Sequence, residues 1–514
     1  MAFPVQPLAP AQGLGGPPNA SHEAPFRAAC SGVVPLFARL EPWMLELFAD
    51  RRLFACIDRY GSPLNVLSAA PLQRNLLRLQ AVAEARQLDF RAFYAHKANK
   101  CSRLLDTIRD IDAGVDTASL SELTEALNAG VAPQRIICTA AIKNAELLAT
   151  CVRHRVTVAI DNADELLALQ AIAAANRQPA NVAFRVSGFR GPDNGPKLRS
   201  RFGIDIEQLP TFVDRFWPPG HCNPVNIVGL HFHLHGGSAP QRVAAVNQLL
   251  PWIDRLREQA HPITFMDIGG GLPINYQTSP SQWTRFWQEH ERALLEKRDE
   301  ITRNNHGLGR MAVEGRIHGR ANVYPLHDGP LHADWLASIL DARVADATNG
   351  TSLAAALARR GLQLRCEPGR SALDGCGVTV ARVEYHKCHA DGYSLLGLAM
   401  NRTQCRTTDD ELMVDPILLR NPQTRSAPIS QPSDNQATEG YLVGATCTEC
   451  ESILLRRMRF PSGVARGDLL VFPNTAGYWM HMMESRSHQI PLAQNLFVTP
   501  QGTELGLQRR DAPG

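Results

Sequence analysis

Between residues 90 and 367 the chain alternates short, strongly apolar runs with longer stretches in which apolar positions recur every three or four residues. The short runs suit strands buried on both faces, and the longer stretches suit helices buried on one. The strand-like runs are Arg91–His96, Gly114–Ser119, Arg135–Thr139, Thr157–Asp161, Asn181–Val186, Ile227–Leu234, Ile263–Ile268 and Gln363–Glu367. Strands separated by helices form parallel βα units, and eight such units close a (β/α)8 barrel. One helix signal is explicit: SLSELTEALNAG at 119–130 opens on a serine cap and closes on glycine. The stretch 304–340, with Gly, Pro, Asn and His interspersed, reads as an insertion between the seventh and eighth units.

Beyond Glu367 the period changes. GVTVARVEYHK (377–387), ELMVDPILL (411–419), GYLVGATC (440–447) and GDLLVFPNT (467–475) are strand-like and separated by turn residues, with few helical patterns between them. The polar, Pro- and Ser-rich 421–440 reads as an exposed loop. The expected fold class is therefore α/β, a TIM barrel followed by a mostly antiparallel β domain. Its expected divisions are a flexible Pro/Gly-rich leader (1–24), an N-terminal segment whose strand-like parts join the β domain (25–62), the barrel (63–375) and the β domain (376–514).

Composition narrows the class without choosing a function. With 44% hydrophobic and 20% charged residues the chain has the make-up of an ordinary globular protein. A formal charge of +3 over 514 residues implies neither a nucleic-acid nor a membrane partner. No run approaches the ~18 apolar residues of a membrane span. Twelve cysteines lie scattered without a framework, and the first residues lack the basic and apolar regions of a signal peptide. Free thiols in a reducing cytoplasm are the expectation. The lone Cys447-Thr448-Glu449-Cys450 lacks the second ligand pair that a zinc site needs, so no metal is expected.

The chemistry-bearing residues gather at strand ends, where barrel active sites lie. Lys97 follows the first strand, His231, His233 and His235 the sixth, Gly269-Gly270-Gly271 the seventh and Glu367 the eighth. Singly, each has an ordinary reading: a solvated lysine, a polar rim, a turn, a surface ion pair with Arg370. Together they suit one cofactor chemistry. A glycine turn lets backbone N–H groups reach a phosphate, with Ser238 or Arg370 adding contacts. A lysine can form an imine with an aldehyde, and a carboxylate can keep a pyridine nitrogen protonated.

YAHKANK, GVDTASLSEL, SRFGI, GLHFHLHGGS, DIGGGLP, EPGR, GATCTEC and GDLLVFPNTAGYW occur in the order found in fold-type III decarboxylases that use pyridoxal 5′-phosphate. The chain resembles that family, the diaminopimelate, ornithine and arginine decarboxylases with an alanine racemase-type barrel, over roughly residues 60 to 490. Its length and insertion suggest a divergent branch. The resemblance implies a Schiff base on Lys97, a cofactor lined by Asp116 and Arg185, and a histidine stacked on the pyridine ring. It implies phosphate contacts from Ser238, Gly270, Gly271, Gly369, Arg370 and Tyr478, and Glu367 as the partner of the pyridine nitrogen. Cys447 matches the acid that reprotonates the product, supplied in the family by the neighbouring subunit of a homodimer. Arg370, Thr448 and Glu449 fall where the substrate is held.

Three departures accompany the resemblance. The family reads H-x-G-S, whereas here His233-Leu234-His235-Gly236-Gly237-Ser238 has an extra residue. Strand register favours His233 as the stacking residue, and spacing back from Ser238 favours His235. Thr448 stands where relatives carry the acid that grips a distal amine, which Glu449 or Glu451 would have to replace. Arg201 in SRFGI replaces the usual lysine. The expected activity is decarboxylation of a small amino acid, diaminopimelate-, ornithine-, lysine- or arginine-like or a modified derivative. A racemase, which needs a second base where Cys447 stands, is the alternative. A metal-dependent barrel hydrolase using His231 and His233 and an inactive regulatory paralogue are more distant ones.

Overall fold

The computed structural model describes residues 20–218, 223–345, 350–423, 436–498 and, for the backbone, 505–507. All eight expected barrel strands form. They are Phe90–Ala95, Gly114–Thr117, Ile136–Cys138, Thr157–Ile160, Ala180–Ser187, Val225–His231, Phe265–Asp267 and Gln363–Cys366. Each pairs in parallel with the next, and the last returns to the first, closing the barrel. Their side chains are buried almost throughout, because helices cover the outside and packed side chains fill the inside. Helix Leu120–Asn128 begins as its sequence indicates, with the Ser119 side chain accepting the Glu122 N–H, and Gly130 follows its end at φ +80°.

The second domain is a ten-stranded sheet, mostly antiparallel, around the long strand Gly377–Cys388. Leu396, Leu442, Val471 and Trp479 lie in its core. Of the segment 25–62, only Ser31–Gly32 enters this sheet, while Pro42–Ala49 and Arg52–Tyr60 are helices. Leu64–Leu67, placed by sequence with the barrel, instead pairs with Gly377–Val380 and belongs to the second sheet. A short, fully buried apolar run looks the same in either sheet, so sequence could not assign it. Within ELMVDPILL only Ile417–Leu419 is strand.

Two further boundaries shift. Helix Ala20–Ala29 begins inside the expected leader, whose residues 1–19 lie outside the described residues, as do 424–435 of the expected loop. The 304–340 segment has two parts. Arg310–Val313 and Arg316–Gly319 form an exposed hairpin, but helix His332–Leu340 packs on the barrel helices Ala70–Glu84 and Ala239–Glu258 and so belongs to the outer ring. Among the described residues, no helix is long and apolar enough to cross a membrane.

The domains meet at the C-terminal end of the barrel. The Tyr478 N–H donates to the Ala98 carbonyl at 2.8 Å, and the Asn99 side chain donates to the Ala476 carbonyl at 2.9 Å. The residues just after Lys97 are thereby tied to the second domain.

Candidate active site

A cavity of about 610 Å³ opens at this junction, within the range of small-molecule sites. Lys97, His233, Gly270, Gly271, Glu367, Gly369, Arg370 and Tyr478 line it. Lys97 projects from the turn after the first strand, and its Nζ donates to Asp116 Oδ2 at 2.7 Å. Asp116 is fully buried and also accepts the Thr139 hydroxyl. Burial disfavours the ammonium, but Asp116, Glu367 and Tyr478 outweigh it and hold the Lys97 pKa above the ordinary lysine value. For Asp116, burial and the neighbouring Glu367 charge prevail over Lys97, and its pKa is raised.

Glu367 lines the cavity, and two further buried groups, His231 and Asp267, stand behind it. His231 Nε2 lies 3.0 Å from Glu367 Oε1, and Asp267 completes a set in which one polar atom from each residue lies within 4.8 Å of the other two. Burial works against the Glu367 carboxylate, yet His231, Lys97 and His233 hold its pKa down at about 2. It is therefore an anion near neutral pH, and His231 Nε2–H is the donor. Burial, then the Glu367 charge, push Asp267 up to about 7, and its Oδ1 accepts the Gly269 N–H at 2.8 Å.

The three histidines separate according to depth. The strand ends at His231, so His233 and His235 lie in the turn beyond it rather than on one strand face. His233 faces the cavity, and its Nδ1 accepts the Gly270 N–H at 3.4 Å. Burial pushes its pKa down to about 3, so it is a neutral, flat ring near neutral pH. His235 is exposed at the cavity rim. Arg185 is buried on the fifth strand, with its guanidinium 4.2 Å from the Phe202 ring centre and 3.6 Å from Asp161.

The opposite wall is shaped for a compact anion. Gly271 has φ +87°, and a Cβ on Gly369 would fall 2.5 Å from the Tyr478 hydroxyl. Neither position accepts a larger residue without movement. Arg370 lies among the rings of Tyr276, Tyr324, Tyr478 and Trp479 and donates to the Tyr276 hydroxyl at 2.9 Å. Tyr478 itself takes a left-handed φ of +73°, a conformation that non-glycine residues adopt at a cost. Lysine, buried acid, flat imidazole, glycine turn, Arg370 and Tyr478 form a donor set that fits a phosphorylated pyridine aldehyde.

Six expected residues do not line this cavity; Asp116 reaches it only through Lys97, and Arg185 lies behind its wall. Ser238 caps helix Ala239–Glu258, its oxygen accepting the Gln241 N–H, and does not line the wall. Cys447, Thr448 and Glu449 are exposed in the loop after strand Thr438–Val443, outside the cavity of their own chain. Glu451 is buried and occupied, accepting the Arg402 N–H at 2.7 Å and the Thr446 hydroxyl. Conversely, Asn322, Tyr324 and His327 of the insertion, together with Thr408 and Asp409, line the cavity unforeseen. The insertion's aromatic and polar composition was the available signal, but nothing in its spacing said where it folds.

Residues 73–317 match the pyridoxal-binding domain of the pyridoxal-dependent decarboxylases. An uncharacterized protein of Sinorhizobium fredii is 30% identical over 87% of this chain and 90% of its own length. The diaminopimelate decarboxylase of Pseudomonas aeruginosa is 24% identical over 84% of this chain and 87% of its own. Alignments with several other diaminopimelate decarboxylases span between 38% and 56% of those relatives. Among solved structures, the diaminopimelate decarboxylase of Methanocaldococcus jannaschii superposes with a TM-score of 0.64 at 18% identity, covering 89% of this chain and 91% of that one.

Proposed function

The chain belongs to the fold-type III pyridoxal-dependent decarboxylases, and from that premise we propose that it removes the α-carboxylate of a basic, diamino or modified amino acid, with Lys97 as the cofactor-holding amine and Cys447 as the acid. The observation that carries this reading is the convergence of Lys97, Glu367, His233 and the glycine turn on one cavity. Bound pyridoxal 5′-phosphate supplies the electron sink for the pair released when the Cα–CO2 bond breaks.

The residues around it have distinct tasks. Lys97 would hold the cofactor covalently once its amine has lost its extra proton, and Asp116 directs that amine. Glu367, held anionic by His231, would bind a protonated pyridine nitrogen. His233, neutral and flat, would stack on the ring. Arg370, Tyr478 and the backbone around Gly270 and Gly271 would hold the phosphate. The proton that replaces CO2 at Cα needs a donor, and Cys447 is exposed and does not line its own chain's cavity. It would act across a homodimer interface, with Thr448 and Glu449 beside it facing the substrate. Thr448 offers a hydroxyl rather than a carboxylate, which supports a substrate whose distal end needs no counter-charge there.

The test is CO2 release from purified protein with pyridoxal 5′-phosphate against basic, diamino and N-modified amino acids, alongside chiral analysis of the recovered substrate. CO2 from one of them, lost in Lys97→Ala, is the expected result. Enantiomer interconversion without CO2 would replace decarboxylation by racemisation.

A further inference from the structure

Arg242, in the first turn of helix Ala239–Glu258, is completely buried, yet among the described residues no carboxylate lies within ion-pair distance of it. Its guanidinium packs 5.2 Å from the Trp335 ring centre and donates only to backbone carbonyls. Nη2 reaches Leu234 O at 2.9 Å and Gly270 O at 3.0 Å, and Nη1 reaches Ser238 O at 3.2 Å. Burial alone lowers its pKa to about 10, which leaves it a cation at neutral pH. A buried charge without a counter-charge is costly and needs an explanation.

The three carbonyls supply one. In a trans peptide the C=O of one residue and the N–H of the next point in opposite directions. Drawing the carbonyls of Leu234, Ser238 and Gly270 toward Arg242 therefore turns the N–H groups of His235, Ala239 and Gly271 away from it. His235 and Gly271 line the cavity, and among the described residues their N–H groups donate to no protein acceptor. The Ala239 N–H is one of the unpaired donors of the helix N-terminus. A Cβ on Gly271 would fall 2.5 Å from Arg242 Nη2, so the glycine turn lies directly against the guanidinium.

We propose that Arg242 is a positioning residue for the cofactor phosphate: it aims the His235 and Gly271 N–H groups into the cavity, and the phosphate dianion is the counter-charge it lacks. The inference rests on the cofactor reading above and adds to it a cation behind the cradle. It also accounts for the extra residue in HLHGGS. Ser238 is engaged as the helix cap, and the turn with the extra residue is held by Arg242.

The experiment titrates full-length apoprotein separately with pyridoxal 5′-phosphate and with phosphate-free pyridoxal, reading protein fluorescence and the visible band of the bound aldehyde. Inorganic phosphate is tested by its effect on the melting temperature. Arg242→Met is expected to weaken the phosphorylated ligand on the order of 10- to 100-fold, as for lost charge-assisted hydrogen bonding. Pyridoxal should change by no more than about twofold, a difference near measurement scatter. Inorganic phosphate should raise the melting temperature of the parent and not of the variant. Arg242→Lys keeps the charge without the fork, so it should fall between them, and it carries the comparison if the methionine variant does not fold. Equal losses for both ligands, or none, would reduce Arg242 to a structural clamp and overturn the proposal. A parent protein that binds neither ligand would overturn the cofactor reading itself, and this inference with it.

Discussion

Asp267 sits two residues before the glycine turn with one carboxylate oxygen buried and without a hydrogen-bond partner. An unfolded aspartate releases its proton near pH 4. Burial and Glu367 keep the folded one protonated up to about 7. Between those values the folded chain binds the extra proton, so this residue makes stability fall as pH rises, by about 1.4 kcal/mol per unit at most. His233 acts in the opposite sense. Its folded pKa of about 3 lies below the ordinary histidine value, so its contribution grows from pH 3 to about 6.5. The two largely cancel in the parent protein, and Asp267→Asn should uncover the difference. Asparagine keeps the acceptor for the Gly269 N–H and cannot ionise. Urea unfolding at pH 5 and pH 7.5 is expected to show the variant gaining on the parent as pH rises. Parallel behaviour at both pH values would mean that Asp267 is already ionised when folded.

At the level of elements, the insertion between the seventh and eighth strands divides into a dispensable tip and a necessary stem. The hairpin is exposed, with Met311 at 60% accessibility, and among the described residues its two strands pair only with each other. Removing Ala312, Val313, Arg316 and Ile317 shortens it by two residue pairs and keeps the Glu314-Gly315 turn, so stability should change by less than about 0.5 kcal/mol. The stem behaves differently. The Tyr324 hydroxyl accepts the N–H of fully buried Ile274 at 3.2 Å, and Arg370 stacks on the Tyr324 ring at 4.3 Å. Tyr324→Phe leaves that donor unmet and should cost about 1–3 kcal/mol in thermal or urea unfolding. Equal effects of the two changes would show that the insertion folds as one unit.

The same contrast explains what sequence made legible. Eight strands stood out because burial on both faces gives each a dense apolar run, and Lys97, Glu367 and the glycine turn stood out because strand ends are fixed points. Helix Pro280–Leu294 inside the connection, the assignment of Leu64–Leu67 and the role of Arg242 did not. Each depends on a partner distant in the chain, and a lone arginine in a helix reads as surface until its carbonyl partners are known.

For the whole molecule, the decisive question is which chain completes each cavity. Lys97 and Cys447 lie on different domains, and only Lys97 lines the cavity of its own chain. The cysteine loop is ordered by its own contacts, with Glu451 accepting the Arg402 N–H and the Thr446 hydroxyl, so it is presented outward rather than folded back. A rotationally symmetric dimer repeats any contact on both sides, and a loop presented outward from one protomer can then complete the cavity of the other. Mixing Lys97→Ala and Cys447→Ala chains distinguishes the two arrangements. If each site takes its lysine from one protomer and its cysteine from the other, half of randomly paired dimers are mixed and each holds one intact site, restoring roughly a quarter of parent activity. If both residues came from one chain, every site in the mixture would lack one of them and no activity would return. Refolding the two inactive chains together and measuring CO2 release therefore reads the origin of the proton directly, and recovery is the expected outcome.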